Sequence, residues 1–406
     1  MNCKENREKI FNLLKNNEIA IFFSSSRVYR NGDMSYFPFR QNSDFYYLTG
    51  ITTPDNLVIL HKNHLGQSKS MLFIYKPSRK EEIYDDSFLS PTEAKKISKV
   101  DYVYFLQDIE DDFLNDLLHI SNKLYICNRD IPLSPMLKKI KDFFLKKEVF
   151  SVQPLIEKAR LFKSQKEIQY IKKAIQFTYE ALLNSIPLIK EGNTEKEIYG
   201  NIMGFYYSKK NLAPSFNPIV ASGKNAVILH YTALKSKLRK GDLLLIDTGA
   251  EYKLYAGDIT RVFPVSGRFS KEQIKIYEAV LFVKNELQQI IKPGYTINEL
   301  NQITTKKILE QLIKLKLIKS NVNENSVKEF FPHGLSHFIG LDVHDCGNKD
   351  TVLAPGMIIS CEPAIYIKSK GIGIRLEDDL LITKTKNINL SVNIPIDPGD
   401  IEKLFN

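Results

Sequence analysis

Two pairs of segments that set acids into apolar strands constrain this chain more than any other feature. Leu243-Leu-Leu-Ile-Asp247 and Ile259-Thr-Arg-Val-Phe263 read as strands joined by a connection holding Gly249 and Gly257, with Asp258 just before the return strand. Met357-Ile-Ile-Ser-Cys-Glu362 and Ile372-Gly-Ile-Arg-Leu-Glu377 read as a second such pair. A carboxylate in an apolar strand is expensive to bury without a partner. Two carboxylates forced together in such a setting repel unless a cation bridges them. Taken singly, each acid has a bland explanation: Asp247 as a strand-end cap, Asp258 as a turn residue, Glu377 on a strand edge of mixed charge. The two pairs together look like a quasi-repeat, each supplying two acids, and this weakens the bland explanations.

Histidine placement points the same way. The chain has seven histidines, three of them in His333-Gly-Leu-Ser-His337-Phe-Ile-Gly-Leu-Asp-Val-His344. The His333–His337 spacing resembles the helical two-histidine zinc motif, but its glutamate is missing and Gly334 disfavours a helix. One histidine with four carboxylates makes an oxygen-rich site, better suited to manganese or magnesium than to structural zinc. Two ions sharing a carboxylate could hold a water that loses its proton near neutral pH and attacks a carbonyl the ions polarise. His230, His333 and His344 are then candidates to donate to the developing oxyanion and to protonate a leaving nitrogen.

The rest of the chain frames that site. Its 406 residues favour two domains over one. Before residue 150, Ala20–Phe23, Leu57–Leu60, Met71–Tyr75 and Lys123–Ile126 read as strands, with helices over Ile109–Ile120 and Ser134–Lys147, which predicts an α/β domain with a mixed sheet. The pattern changes near residue 152, giving domains 1–152 and 153–406. Ser164 with Glu167 three positions on is a capping box opening a long helix. Helices over 164–189, 194–209, 270–292 and 296–318, interrupted by antiparallel strands, predict an α+β domain with helices packed on one sheet. The formal charge of +10 suggests nucleic acid at first sight, but residues 1–150 carry 22 Lys and Arg against 20 Asp and Glu, and the remainder 35 against 27. Much of the excess, as in Lys306-Lys307 and Lys314-Leu-Lys316, is the solvated face of amphipathic helices, so no nucleic-acid partner is expected. No apolar run is long enough to span a membrane, and no signal peptide is visible. Four cysteines without a CxxC pair suggest reduced thiols and a cytoplasmic protein.

With those residues in view, the sequence resembles the aminopeptidase P group of the creatinase/prolidase/methionine aminopeptidase family. The resemblance runs nearly the whole chain. It takes in Phe37-Pro-Phe-Arg-Gln-Asn-Ser-Asp-Phe-Tyr-Tyr-Leu-Thr-Gly50, Arg160-Leu-Phe-Lys-Ser164, Ile228-Leu-His-Tyr231, Leu245-Ile-Asp-Thr-Gly249, Tyr255-Ala-Gly-Asp-Ile-Thr-Arg261, His333 to Asp345, Cys361-Glu-Pro363 and Gly371-Ile-Gly-Ile-Arg-Leu-Glu-Asp-Asp379. It implies a pita-bread catalytic domain behind a smaller N-terminal α/β domain. It also implies a dimanganese site: Asp247 on one ion, Asp258 and Glu377 bridging both, His337 and Glu362 completing the other. By the same resemblance, His230, His333 and His344 line the substrate cleft, and Arg375 holds an acidic partner, for which Asp33 is a candidate. The implied activity is release of the N-terminal residue from peptides with proline second, by a homo-oligomer (dimer or tetramer).

The chain departs from the family where the loop between Ile367 and Gly371 is only Lys-Ser-Lys, which puts substrate length and subunit contacts in question. Within hydrolases the alternative is prolidase, which cuts Xaa-Pro dipeptides with the same ligands; Ser336 and the Arg40-Gln-Asn-Ser-Asp-Phe45 segment favour aminopeptidase P. Non-catalytic binding modules of this fold have typically lost metal ligands, and creatinase needs no metal. All five ligand positions are present here, which argues against both.

Overall fold

The computed structural model describes residues 2–406 except 33–34, 86–87, 128–129, 211, 320 and 322–323. It divides into two compact units, Met1–Arg160 and Leu161–Asn406.

The first unit is built on a six-stranded sheet. From one edge to the other its strands are Tyr102–Phe105, Ser68–Ile74, Leu57–Lys62, Glu18–Phe23, Lys123–Ile126 and Phe150–Ser151. Glu18–Phe23 runs antiparallel to Leu57–Lys62 and parallel to Lys123–Ile126, so the sheet is mixed, as the alternation of strands and helices predicts. Glu18–Phe23 is buried along its whole length, which explains why it reads as a near-continuous apolar run. Ile19, Ile21 and Phe23 pack with Leu114 and Leu117 of the Asp111–Ile120 helix and with Leu137, Ile140 and Phe144 of the Pro135–Phe144 helix. The short edge strands Tyr102–Phe105 and Phe150–Ser151 carry too little pattern to be foreseen. The Gln153–Leu161 helix lies beyond the change of pattern near 152, yet all of it but Leu161 falls in the first unit. Arg160 pairs with Asp44 at 2.5 Å, both side chains 1% exposed, and the Tyr47 hydroxyl donates to the Ala159 carbonyl at 2.8 Å.

In the second unit the long helices are Gln165–Ser185, Glu195–Tyr207, Lys271–Ile290 and Ile297–Lys314. The Ser164 hydroxyl accepts from Glu167 N while the Glu167 carboxylate accepts from Ser164 N, completing the foreseen capping box. Thr194, Ser270 and Thr296 cap the other three in the same way. Among the described residues, no helix is long and apolar enough to cross a membrane.

The strands do not form the one sheet that the sequence suggests. Among the described residues they fall into four small sheets, of which two carry the first acid pair's surroundings and two the second's. Leu243–Thr248 pairs antiparallel with Ile259–Pro264, placing Asp247 opposite Thr260. The tip of that connection peels away as Ala250–Tyr252 and Tyr255–Ala256, which join Leu212–Pro214. The second pair is rearranged more deeply. Ile358–Cys361 pairs with Asp378–Ile382, while Ala364–Ile367 pairs with Ile372–Arg375. The cause is local: Pro363 has no N–H to continue a ladder, and Glu362 N donates sideways to the Leu335 carbonyl at 2.9 Å. Glu377, in the corresponding break of the return chain, donates its N–H to the Thr260 carbonyl at 3.3 Å, tying the two acid-bearing pairs together.

Candidate metal centre

The breaks and strand ends deliver the acids to one place. Asp247, Asp258 and Glu377 are 8, 5 and 2% exposed, buried far more deeply than carboxylates normally are. His337 arrives from the loop between helix and sheet, locked by its N–H to Ser360 Oγ and by Ser360 N to its carbonyl. Its Nδ1 faces the Phe338 carbonyl at 3.2 Å, an acceptor, so Nδ1 carries the proton and Nε2 presents a lone pair. That Nε2 lies 3.4 Å from Asp258 Oδ2, 3.6 Å from Glu362 Oε1 and 4.0 Å from Glu377 Oε1. His337, Asp258 and Glu377 each offer a ligand atom within 4.8 Å of the others'.

The electrostatics of this cluster are those of more buried acid than the neighbouring Arg375 offsets. Burial, followed by the Glu377 and Asp247 charges, raises the Asp258 carboxyl well above its usual range. Burial and then Glu377 do the same to Glu362, and burial and then Asp247 push Glu377 up to about 7. Asp247 Oδ1, Asp258 Oδ1 and Glu377 Oε1 are buried without a hydrogen-bond partner. Orphaned acceptors of this kind cost free energy unless a cation satisfies them, so the donor set fits hard divalent ions.

The remaining candidates surround the cluster. Arg375, 4% exposed, donates to Asp247 Oδ2 at 2.5 Å. Asp247 is thus the acid that Arg375 holds; Asp33 lies outside the described residues. Arg375 also donates to the Tyr366 hydroxyl at 2.7 Å, and that hydroxyl lies 3.0 Å from His333 Nε2. Since the arginine can only donate, the tyrosine passes its own proton toward His333 Nε2, which leaves His333 Nδ1–H for the Gly334 carbonyl at 2.8 Å. Burial, then Arg375, lowers the His333 pKa to about 4, and burial, then His337 and His230, lowers that of His344 to about 4. Both are neutral imidazoles near pH 7. His344 stacks obliquely on His337 with ring centroids 4.1 Å apart. His230 is exposed on its turn, close enough to oppose protonation of both His333 and His344.

Three residues of the site were not singled out from the sequence. Thr260 Oγ1 donates to Glu377 Oε2 at 2.7 Å and accepts from Arg375 Nε at 3.1 Å. Tyr366 joins Arg375 to His333. Asp379, fully buried, accepts the N–H of Asp258 at 3.1 Å. Thr260 and Asp379 lie inside motifs that were recognised, so nearness to an acid was the available signal; nothing local marks Tyr366.

Comparison with known proteins agrees with this geometry. Residues 169–384 match the model for metallopeptidase family M24, and residues 3–125 match that for the aminopeptidase P N-terminal domain. The chain is 34% identical to the Xaa-Pro aminopeptidase of Escherichia coli K12, over 98% of this chain and 96% of that protein. It is 33% identical to the Xaa-Pro aminopeptidase of Haemophilus influenzae, over 99 and 96% of the two. The structure of E. coli aminopeptidase P with the inhibitor Pro-Leu superposes with a TM-score of 0.91 at 32% identity, covering 100% of this chain and 97% of that one. Full-length likeness, a matching architecture and an acid cluster short of positive charge lead to one conclusion: the chain belongs to metallopeptidase family M24, with an aminopeptidase P N-terminal domain ahead of the metallopeptidase domain.

Proposed function

We propose that this metallopeptidase is an Xaa-Pro aminopeptidase, releasing the first residue of peptides whose second residue is proline. The observation that carries the reading is the convergence of Asp247, Asp258, His337, Glu362 and Glu377, with buried unpartnered oxygens on three of them. In this reading Asp247, Asp258, His337, Glu362 and Glu377 would hold two divalent ions, with Asp258 and Glu377 shared between them. Manganese is the proposed metal, in keeping with the oxygen-rich set. When bound, the ions supply Lewis acidity and an activated water.

The chain's own groups do the rest. Arg375 orients Asp247 through its 2.5 Å contact, and Thr260 fixes one oxygen of Glu377. In this reading His230 and His344 donate to substrate oxygen, and neutral His344 would relay to the leaving nitrogen a proton first taken up on its free ring nitrogen, not supply one of its own. His333, its Nε2 occupied by Tyr366, offers a ring face for the proline. Residues 1–152 serve as the aminopeptidase P-type domain and 153–406 carry the chemistry. We place the protein in the cytoplasm as a homo-oligomer of two or four copies, in line with the resemblance and with four buried cysteines that form no disulfide.

Prolidase is not favoured, because the full-length relatives are Xaa-Pro aminopeptidases. The test is a side-by-side assay of an Xaa-Pro-Yaa tripeptide and an Xaa-Pro dipeptide, with metal analysis of the same preparation. Manganese-stimulated cleavage of the tripeptide is expected, and turnover of the dipeptide alone overturns the reading. Asp258→Ala and Glu377→Ala should each abolish activity, because losing a bridge unseats both ions; wild-type turnover in either refutes the bridging assignment.

A further inference from the structure

His230 sits on a segment with little structure of its own. After the short 3-10 helix Gly223–Val227 the chain turns through His230 and runs without regular structure toward Lys237. Leu234 is held at φ +49°, a left-handed conformation that a branched residue adopts only under restraint. Such a segment would wander unless something held it.

Beside the backbone bond from Glu195 N to the Ser236 carbonyl at 3.1 Å and that from Asn225 Nδ2 to Ser236 Oγ at 2.8 Å, one carboxylate holds the segment at both ends. Glu195, the first residue of the Glu195–Tyr207 helix, is 0% exposed. Its Oε1 accepts from Ser222 N, Ser222 Oγ and Asn225 Nδ2, each at 2.8 Å. Its Oε2 accepts from the Tyr231 hydroxyl at 2.8 Å and from Ser236 N at 3.0 Å. The Tyr231 hydroxyl accepts in turn from Lys235 N at 3.0 Å, bracing the strained Leu234. One oxygen therefore grips the chain before His230 and the other grips it after. All five donors are uncharged, so hydrogen bonds and the helix N-terminus compensate the buried charge. Each oxygen faces N–H groups that can only donate, Ser222 N and Asn225 Nδ2 on Oε1 and Ser236 N on Oε2, so both must accept.

We propose that Glu195 is a positioning residue for the reaction: a clamp that closes the 222–236 segment and so sets His230 over the metal centre. The inference rests on the reading of His230 as a group that contacts substrate. In Glu195→Gln the amide nitrogen faces donors on one side and releases one end of the segment. In Tyr231→Phe one of the two ties to Oε2 after His230 is lost without touching the carboxylate, the Ser236 N–H bond remaining, and this variant serves if Glu195→Gln does not fold.

The experiment is a double-mutant cycle on the metal-loaded full chain with a tripeptide substrate, comparing Glu195→Gln, Tyr231→Phe, His230→Ala and each pairing with His230→Ala. Both clamp variants should lower kcat/KM on the order of tenfold to a hundredfold, as misplacement of a catalytic group does, with metal content unchanged. In the His230→Ala background they should cost no more than about twofold, since coupled residues are not additive. Amide exchange over 222–237 should rise in both. Equal losses with and without His230, or unaltered exchange, overturn the clamp. Wild-type activity in His230→Ala overturns the assignment of His230, and with it the clamp's purpose, even where exchange rises.

Discussion

At Thr260 one hydroxyl serves two charged neighbours, donating to Glu377 and accepting from Arg375. Valine there keeps the shape and removes both contacts, leaving Glu377 free to turn and Arg375 Nε without its acceptor. Because groups behind a ligand tune its hold on metal, Thr260→Val should weaken metal affinity by about 10- to 100-fold. Metal titration of the folded variant checks this, and wild-type affinity would show that Glu377 is held by other means. The five proposed ligands were legible because acids in apolar strands and clustered histidines are visible without coordinates. Tyr366 and Glu195 were not. Tyr366 reads as one more apolar strand residue, and Glu195 as a helix-start acid like Glu167 or Glu299; their partners lie 33 positions away at His333 and up to 41 positions away at Ser236.

Among elements, the helix starts were the most legible, since a capping box is a contact between residues three apart. The hairpins were harder. Asp247 and its return strand pair as expected, but the second acid pair exchanges partners because Pro363 breaks its ladder. The first hairpin also depends on a close approach. A Cβ on Gly249 would collide with the Gly257 carbonyl and the Ser215 hydroxyl. Gly249→Ala should therefore wedge the connection between Asp247 and Asp258, costing about 1–3 kcal/mol in overpacking and much of the activity. Urea denaturation beside the tripeptide assay checks both; an alanine variant of unchanged stability refutes the steric argument. Behind the second pair, Asp378 is held by Arg261 at 2.7 Å and by Lys284, both buried, and Arg261 also donates to the Glu377 carbonyl at 2.6 Å. The strand carrying the acids is thus fixed from the side away from the site.

For the molecule as a whole, the acid cluster links stability to pH and metal. Glu377 is raised from 4.5 to about 7, and Asp258, Glu362 and Asp379 are raised as well, burial being the main cause in each. Between the ordinary carboxylate range and about pH 7 these four acids then hold more protons folded than unfolded; they outnumber His333 and His344, which are lowered and act in the opposite sense, so stability falls as pH rises through that window. Chelator-treated protein should accordingly melt at a lower temperature near pH 7 to 8 than near pH 5 to 6. Saturating manganese should raise the melting temperature most at the higher pH, where the acids are ionised and bind metal best. Calorimetry at the two pH values, with and without metal, checks both; chelated protein that is more stable at the higher pH contradicts the linkage.

The amino-acid sequence alone determined the α+β class, the mixed sheet before residue 150, the long helices with the Ser164 capping box, and the acids and histidines proposed for the metal centre. Those are properties of periodicity, of contacts between near neighbours, and of residue types that are costly where they stand. Only the tertiary structure decided which strands pair around Pro363, that Asp247 is the acid Arg375 holds, and that Thr260, Tyr366, Asp379 and Glu195 belong to the site's support. The reason is physical: these depend on hydrogen bonds between groups far apart in the chain, whose partners are chosen by the packing of whole elements and leave no local mark. The two acid-bearing pairs were visible as a pattern, but their meeting point depended on the break at Glu362–Pro363 and on the single backbone bond from Glu377 to Thr260.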